Sequence, residues 1–122
     1  MMFKSVAIVA TAGLLVAGSA FAQSAAYTWT GLGQNVSGAT KCPTYKMTID
    51  VTVEGNAVKG VFQQQGRDER RFEATLTDKG TFKTKAQLSG GATMDVTGTM
   101  TDKEHKVLLD GYCKFDAKLT KK

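Results

Sequence analysis

The sequence predicts an all-β domain, a small antiparallel up-and-down meander barrel of about seven or eight strands. Apolar and polar residues alternate with a period of two along Tyr45–Glu54, which is typical of a strand with one dry face. Further short alternating segments follow, each bounded by a turn rich in glycine or polar residues. No segment after residue 22 shows sustained helical periodicity. A two-sheet β-sandwich is the alternative architecture.

The start of the chain has the pattern of an export signal. Met1–Lys4 is short and basic, Val6–Val16 is almost wholly apolar, and Ala20 and Ala22 suit a cleavage site. These features predict a signal peptide at 1–22 and a periplasmic or secreted protein. The apolar run is too short to span a bilayer, so no transmembrane segment is expected in the mature chain. The remainder, 23–122, is the length of one domain.

The mature chain contains one pair of cysteines, Cys42 and Cys113. In an exported protein an even pair predicts a disulfide bond. A separation of 71 residues excludes a C-x-x-C redox or metal motif and would tie the early part of the chain to its end.

The first strand after the signal carries Tyr27 and Trp29 on one face. The segment Leu32–Lys41 that follows is rich in glycine and small polar residues, and we expect a mobile loop there. The Tyr45–Glu54 strand then begins after Cys42-Pro43.

Parity predicts the pairing of the next strands, because facing residues in a hairpin point to the same side of the sheet. A two-residue Gly55-Asn56 turn ends the Tyr45–Glu54 strand. The resulting register pairs Val53 with Val58, Val51 with Gly60 and Ile49 with Phe62. The polar segment Gln63–Glu69 forms a longer turn, after which Phe72 resumes the dry face. A three-residue Asp78-Lys79-Gly80 loop then pairs Leu76 with Phe82.

The last segment, Lys106–Thr120, is predicted to be one long, bent strand with a kink at Gly111. A two-residue turn at Asp110-Gly111 would place Val107 on the polar face and not on the dry face. The alternative, a turn at this position, would divide the segment and give an eighth strand. An open meander would have two edge strands with unpaired N–H and C=O groups. Pairing of the last strand with the first removes both edges, which favours the barrel.

The order of features along the mature chain resembles uncharacterised small exported proteins of proteobacteria. These features are an early Trp-Thr-Gly, a cysteine before the second strand, regular hairpins, and Gly111-Tyr112-Cys113 before Lys118-Leu119-Thr120. The resemblance implies a secreted β-barrel-like domain and no activity. The segment Trp29–Gly31 is also loosely similar to the opening of lipocalin and avidin barrels, without the G-x-W motif of lipocalins.

Groups that could support catalysis are few, so the sequence predicts no enzyme, no cofactor and no metal site. His105 is the only histidine, and it follows Asp102 and Glu104 in a predicted turn. The carboxylates of the strands alternate outward, which disfavours paired acid–base catalysis. A hydrolase is a remote alternative. Nucleic-acid binding is not expected, because no aromatic row alternates with the basic residues.

Two sets of residues are candidates for binding. If the interior of the barrel is hollow and not filled, the dry face could bind a small hydrophobic molecule. The candidate ligand-binding residues on this face are Phe62, Phe72, Phe82, Met94, Trp29 and Tyr45. The loops offer a site for a partner; its residues are Gln34, Asn35, Gln64, Arg67, Arg70 and Arg71. The carboxylates Asp68, Glu69 and Glu73 are expected to pair with the three arginines.

The sequence therefore predicts an exported, non-catalytic binding module that recognises a protein or an envelope component through its loops. An inhibitor is one form of such a module. The alternative is a carrier barrel that holds a small hydrophobic ligand inside, and a contiguous cavity lined by Phe62, Phe72, Phe82 and Met94 would favour it.

Overall fold

The computed structural model describes residues 24–38 and 40–122, and the predicted signal peptide lies outside them. Short 3-10 turns occur at Cys42–Thr44 and Ser89–Gly91. The strands within the described residues are β1 (Ser24–Leu32), β2 (Lys46–Glu54), β3 (Ala57–Gln64), β4 (Arg70–Thr75), β5 (Thr81–Gln87), β6 (Thr93–Met100), β7 (His105–Asp110), β8 (Lys114–Lys118) and β9 (Thr120–Lys121).

Hydrogen bonds join these strands into two antiparallel sheets. The first sheet has the order β4-β3-β2-β1-β9, and the second has the order β5-β6-β7-β8. Most hydrogen-bonded neighbours are also consecutive in the chain, so each sheet is largely a meander. The predicted all-β, antiparallel fold is confirmed.

Neither sheet closes into a barrel within the described part of the chain, so the predicted closure is not seen. On one side the chain passes from sheet to sheet at Leu119, because β8 pairs with β7 whereas β9 pairs with β1. On the other side β4 and β5 share no ladder. Two antiparallel sheets with a common core fit the sandwich alternative.

The chain forms a turn between β4 and β5 without a ladder between these strands. The loop Asp78–Gly80 forms as predicted, with Gly80 at φ +77° and the Thr77 N–H donating to the Thr81 carbonyl at 2.8 Å. Leu76, however, donates its N–H to the Asn56 carbonyl at 2.8 Å. This bond continues the pairing of β4 with β3. The predicted pairing of Leu76 with Phe82 is absent from the ladders of the described residues.

The predicted register of the β2–β3 hairpin is confirmed. Gly55, in the two-residue turn, has φ +61°, a conformation that glycine adopts without strain. The observed ladder pairs Val53 with Val58, Val51 with Gly60 and Ile49 with Phe62. The burial of one face of β2 therefore decides which residues of β3 point inward.

The prediction of one long strand over Lys106–Thr120 is wrong. The chain reverses between β7 and β8 through a three-residue loop, Gly111–Cys113, which brings Asp110 opposite Lys114. An odd number of loop residues preserves the parity that a two-residue turn would break, so Leu109 faces Phe115 and both are buried. The shared parity of these residues therefore reflected a hairpin and not a continuous strand.

The middle of the sandwich is filled by aromatic rings that lie over glycines. The Phe72 ring covers Gly60 and the Phe82 ring covers Gly98, and a Cβ atom at either glycine would overlap its ring. The two rings stack on each other across the β4–β5 gap, with centroids 5.9 Å apart. The alternation of bulky and small residues on the dry face therefore produces an interdigitated core.

The predicted disulfide is present between Cys42 and Cys113, whose Cα atoms are 5.6 Å apart. Both cysteines are buried. Cys42 begins the 3-10 turn before β2, and Cys113 ends the β7–β8 loop, so the bond fastens the first sheet to the second.

One exposed ion pair on the second sheet leads to a pH-dependent prediction. A hydrogen bond from Lys85, followed by its charge, lowers the pKa of Asp95 below the ordinary aspartate value. A lowered pKa means that the pair contributes stability above the unfolded-state pKa and loses it as the pH falls through the folded-state value. The contribution is small because the pair is exposed. Lys85→Gln is expected to raise the Asp95 midpoint in an NMR titration, and an unchanged midpoint would contradict the interaction.

Candidate functional site

The two ends of the sandwich differ in their connections. One end, here called the disulfide end, carries the connections 33–45, 65–69, 88–92 and 111–113. The opposite end carries the Gly55-Asn56 turn and the connections 76–80 and 101–104. The predicted loop Leu32–Lys41 and the predicted turn Gln63–Glu69 both lie at the disulfide end, although β1 extends to Leu32 and β3 to Gln64. The longest connection between strands, 33–45, lies at this end, and connections held by a rigid scaffold often carry binding residues.

A cavity of about 440 Å³ opens between the two sheets at the disulfide end, and we call it the end cavity. Both sheets and the disulfide contribute to it. Its floor is apolar and consists of Met47, Phe62, Leu88, Met94 and Phe115. Its rim is polar and consists of Tyr45, Gln64, Arg67, Asp68, Arg70, Ser89 and Tyr112. A concave apolar floor with a few polar groups at the rim is the usual composition of a small-molecule site.

Two of the polar side chains that line the cavity occupy inward-facing positions at the ends of their strands. Gln64 pairs with Met47 across the β2–β3 ladder, and Arg70 pairs with Phe62 across the β3–β4 ladder. Both are therefore on the face that carries the core, and both are only half-buried. A polar side chain loses free energy if it is buried without partners, so these two stay at the mouth and leave the space below open.

Hydrogen bonds hold the polar rim in place. The Arg70 guanidinium donates to the Ser89 hydroxyl oxygen at 2.5 Å, which bridges the start of β4 and the turn after β5. Arg67 is held by its backbone, since its N–H donates to the Gln64 carbonyl and its carbonyl accepts from the Gln63 side chain. Both arginines thus reach the cavity from defined backbone positions.

The six residues predicted to line a ligand site divide into two groups. Phe62, Met94 and Tyr45 line the end cavity. Phe72 and Phe82 lie outside it, in the filled middle of the sandwich. Trp29, on β1, also lies outside it and packs at the edge of the core. The contiguous cavity that would join all three phenylalanines is not seen among the described residues.

The six residues predicted for partner binding also divide. Gln64, Arg67 and Arg70 line the end cavity. Gln34 and Asn35 are exposed on the same end, where the Gln34 N–H donates to the Lys114 carbonyl at 2.7 Å.

Arg71 differs from the other two arginines, because it pairs with Glu69 at 3.3 Å on the outer surface. The ion pairs expected for Arg67 and Arg70 are not seen in the described part of the chain.

Sequence reasoning did not select Ser89, Asp68 or Tyr112 as site residues. Ser89 lies in a short turn that parity cannot place, so no sequence signal identified it. Tyr112 could have been found, because a three-residue β7–β8 loop places it at the tip, where it is 68% exposed. The inward position of Arg70 could also have been predicted, because residues two apart in a strand lie on the same face and Phe72 faces the core.

His105, the residue on which any catalytic role depended, is distant from the cavity. It begins β7 at the opposite end of the sandwich, and its ring lies 4.5 Å from that of Tyr27. Among the described residues, no group of three or more His, Cys, Asp or Glu side chains could hold a metal ion. No helix in the described ranges is long and apolar enough to cross a membrane.

Comparisons of the chain with protein-family models, with curated proteins and with solved structures found no match.

Proposed function

We propose that this protein is an exported, non-catalytic binding protein that takes a small molecule with an apolar part into the end cavity. The observation that supports the proposal is the combination of an apolar floor and a polar rim at the end that carries the longest connection, 33–45. A volume of about 440 Å³ falls within the range of small-molecule sites.

The filled middle of the sandwich limits where a ligand can lie. Phe72 and Phe82 occupy the space over Gly60 and Gly98, so a ligand cannot reach the centre without moving both rings. The carrier function therefore takes a different form from a hollow barrel. The ligand lies at one end, with its apolar part on Phe62 and Met94 and its polar part near the rim.

The chemistry of the rim supports binding without catalysis. Ser89 accepts a hydrogen bond from Arg70. A guanidinium donates hydrogen bonds and does not accept them, so Arg70 does not act as the base that would activate the Ser89 hydroxyl as a nucleophile.

Export is supported by two features. The disulfide between Cys42 and Cys113 suits an oxidising compartment. The basic and apolar start of the sequence has the pattern of a secretory signal peptide.

Recognition of a protein or envelope partner by the loops is the second candidate function. Tyr112 supports it, because a tyrosine that is 68% exposed at a loop tip is a typical anchor in protein interfaces. Tyr112 also lines the end cavity, so the same end of the molecule would serve either function.

Native mass spectrometry distinguishes the two functions. The mature protein recovered from the periplasm of its native host is expected to carry a discrete added mass that is lost on denaturation. Ala92→Trp is expected to abolish this adduct, because Ala92 is exposed at the cavity wall and an indole there fills the mouth without entering the core.

Ala57→Trp is the matched control, because Ala57 is exposed at the opposite end and should leave the adduct intact. An adduct that survives Ala92→Trp would place the ligand elsewhere and contradict the end cavity. A bare mass in the unaltered protein would instead favour partner recognition through the loops.

A further inference from the structure

The rim of the end cavity carries more positive than negative charge. Arg67 and Arg70 contribute two guanidinium groups, whereas Asp68 contributes one carboxylate. Of the carboxylates in the described residues, none lies within ion-pair distance of either arginine. The two arginines that face the cavity are therefore not neutralised by direct ion pairs.

Arg71, the next residue in β4, differs from Arg70 in the direction of its side chain and in its ion pairing. Its side chain is 71% exposed and pairs with Glu69. Arg70, one residue earlier, points to the core face because it pairs with Phe62 across the β3–β4 ladder. Strand parity alone therefore separates a surface arginine from one held above an apolar floor.

Among the described residues, the Arg70 side chain makes one hydrogen bond, which leaves most of its donors able to bind an anion. A guanidinium has five N–H donors in a planar fork, and Arg70 uses one nitrogen to bond the neutral hydroxyl of Ser89. A carboxylate or phosphate accepts from such a fork through two parallel hydrogen bonds, which are stronger than a bond to a hydroxyl. An anionic group at the rim would therefore complete the hydrogen bonding of Arg70.

The apolar floor of the end cavity indicates that the rest of the ligand is apolar. Met47 and Phe62 of the first sheet face Met94 and Phe115 of the second, and all four are buried side chains that line the cavity. Methionine side chains adapt to different apolar shapes, so such a floor suits a flexible hydrocarbon chain. The polar cavity on the outer surface near Lys46 and Gln63 has no comparable apolar floor.

We propose that the end cavity binds a single-chain amphiphile with one anionic group, a carboxylate or phosphate, held by Arg70 with the support of Arg67. The hydrocarbon chain lies on Met47, Phe62, Met94 and Phe115. This inference rests on the proposed function and adds the chemical class of the ligand. The protein takes the amphiphile as a free molecule, one per chain.

Isothermal titration calorimetry with decanoate below its micelle concentration tests the proposal. Decanoate is expected to bind with a stoichiometry of one, whereas decanol and decyltrimethylammonium, which have the same chain and no negative charge, bind at least tenfold more weakly. Acetate, the anionic group without the chain, is not expected to bind measurably.

Variants of the rim identify the anion-binding residue. Arg70→Gln is expected to weaken decanoate binding by about tenfold to a hundredfold, the range for loss of a charged hydrogen bond. Arg71→Gln is the matched control and should leave the affinity unchanged. Asp68→Asn is expected to strengthen decanoate binding, because it removes a like charge from the rim.

The outcomes separate this inference from the proposed function. Equal binding of decanoate and decanol, unaffected by Arg70→Gln but lost in Ala92→Trp, would overturn the anionic class and leave the end cavity as a site. Binding of none of these probes, with no adduct in native mass spectrometry, would overturn both. Binding to phosphatidylglycerol vesicles without binding to free decanoate would overturn the proposal that the ligand is taken as a single molecule.

Discussion

Replacement of both cysteines by alanine is expected to lower the free energy of unfolding by about 4 kcal/mol. The bond between Cys42 and Cys113 closes a loop with a sequence separation of 71 residues. In the loop-entropy model, a closure of this length removes much of the freedom of the unfolded chain. For a domain of this size such a loss is a large part of the total stability. Chemical denaturation of the oxidised protein and of C42A/C113A measures the difference.

The expected change is larger than that of the cavity left by two cysteine-to-alanine substitutions. The protein reduced without substitution serves as the control, because it loses the crosslink and keeps both sulfur atoms. It should lose nearly the same free energy as C42A/C113A. A loss below about 1 kcal/mol in both would show that the crosslink does not restrict the unfolded chain as the model requires.

The disulfide also bears on function, because Cys113 lines the end cavity. The bond joins the segment before β2 to the β7–β8 loop, and these segments carry Tyr45 and Tyr112 at the rim. The other side of the mouth is held by the hydrogen bond from Arg70 to Ser89. One covalent bond and one hydrogen bond thus hold the two sheets at a fixed separation where the ligand is proposed to enter.

Local features of the sequence predicted the sheets well. The alternation in Tyr45–Glu54 and the two-residue turn after it are enough to give the register, because a slip of one residue would expose the whole dry face. The disulfide was predictable for a similar reason, since two cysteines in a chain predicted to be exported have one possible pairing. The register follows from the alternation and the turn length of two adjacent segments, and the disulfide follows from the number of cysteines.

Predictions that depend on contacts distant in sequence were less complete. Closure into a barrel was expected from the danger of open edges, but edges are also managed by packing two sheets together. β4 and β5 form no ladder, and the Leu76 N–H extends the pairing of β4 with β3 by donating to the Asn56 carbonyl. Nothing in the local pattern around Leu76 indicates it.

The candidate site was predicted only in part, because it too depends on contacts between residues that are distant in the sequence. Phe62, Phe72 and Phe82 are equivalent in the sequence pattern, since each is a phenylalanine on the dry face of a strand. Their roles differ because Phe72 and Phe82 lie over glycines of neighbouring strands, whereas Phe62 faces the open end. Which phenylalanine covers a glycine depends on the register of neighbouring strands, and which one faces open space depends on how the sheets pack.

Phe72→Ala is expected to destabilise the protein by about 3–5 kcal/mol and to leave decanoate affinity unchanged. The ring is buried, covers Gly60 and stacks on Phe82 across the gap where no hydrogen-bonded ladder joins the sheets. Its removal opens a void at the position where side chains alone hold β4 against β5. Denaturation measures the first effect, and calorimetric titration at a temperature where the variant is folded measures the second.

A double-mutant cycle with Phe82→Ala shows whether the two rings act together. An aromatic pair contributes about 0.5–1.5 kcal/mol beyond the burial of its area, so the double variant should lose less than the two single losses combined. Phe62→Leu is the comparison for binding, because Phe62 lines the cavity and its change should weaken decanoate binding while costing less stability than Phe72→Ala. If Phe72→Ala instead weakened decanoate binding as much as Phe62→Leu, the ligand would extend into the middle of the sandwich. The interior would then serve as the binding site, and the division between a filled middle and a binding end would not hold.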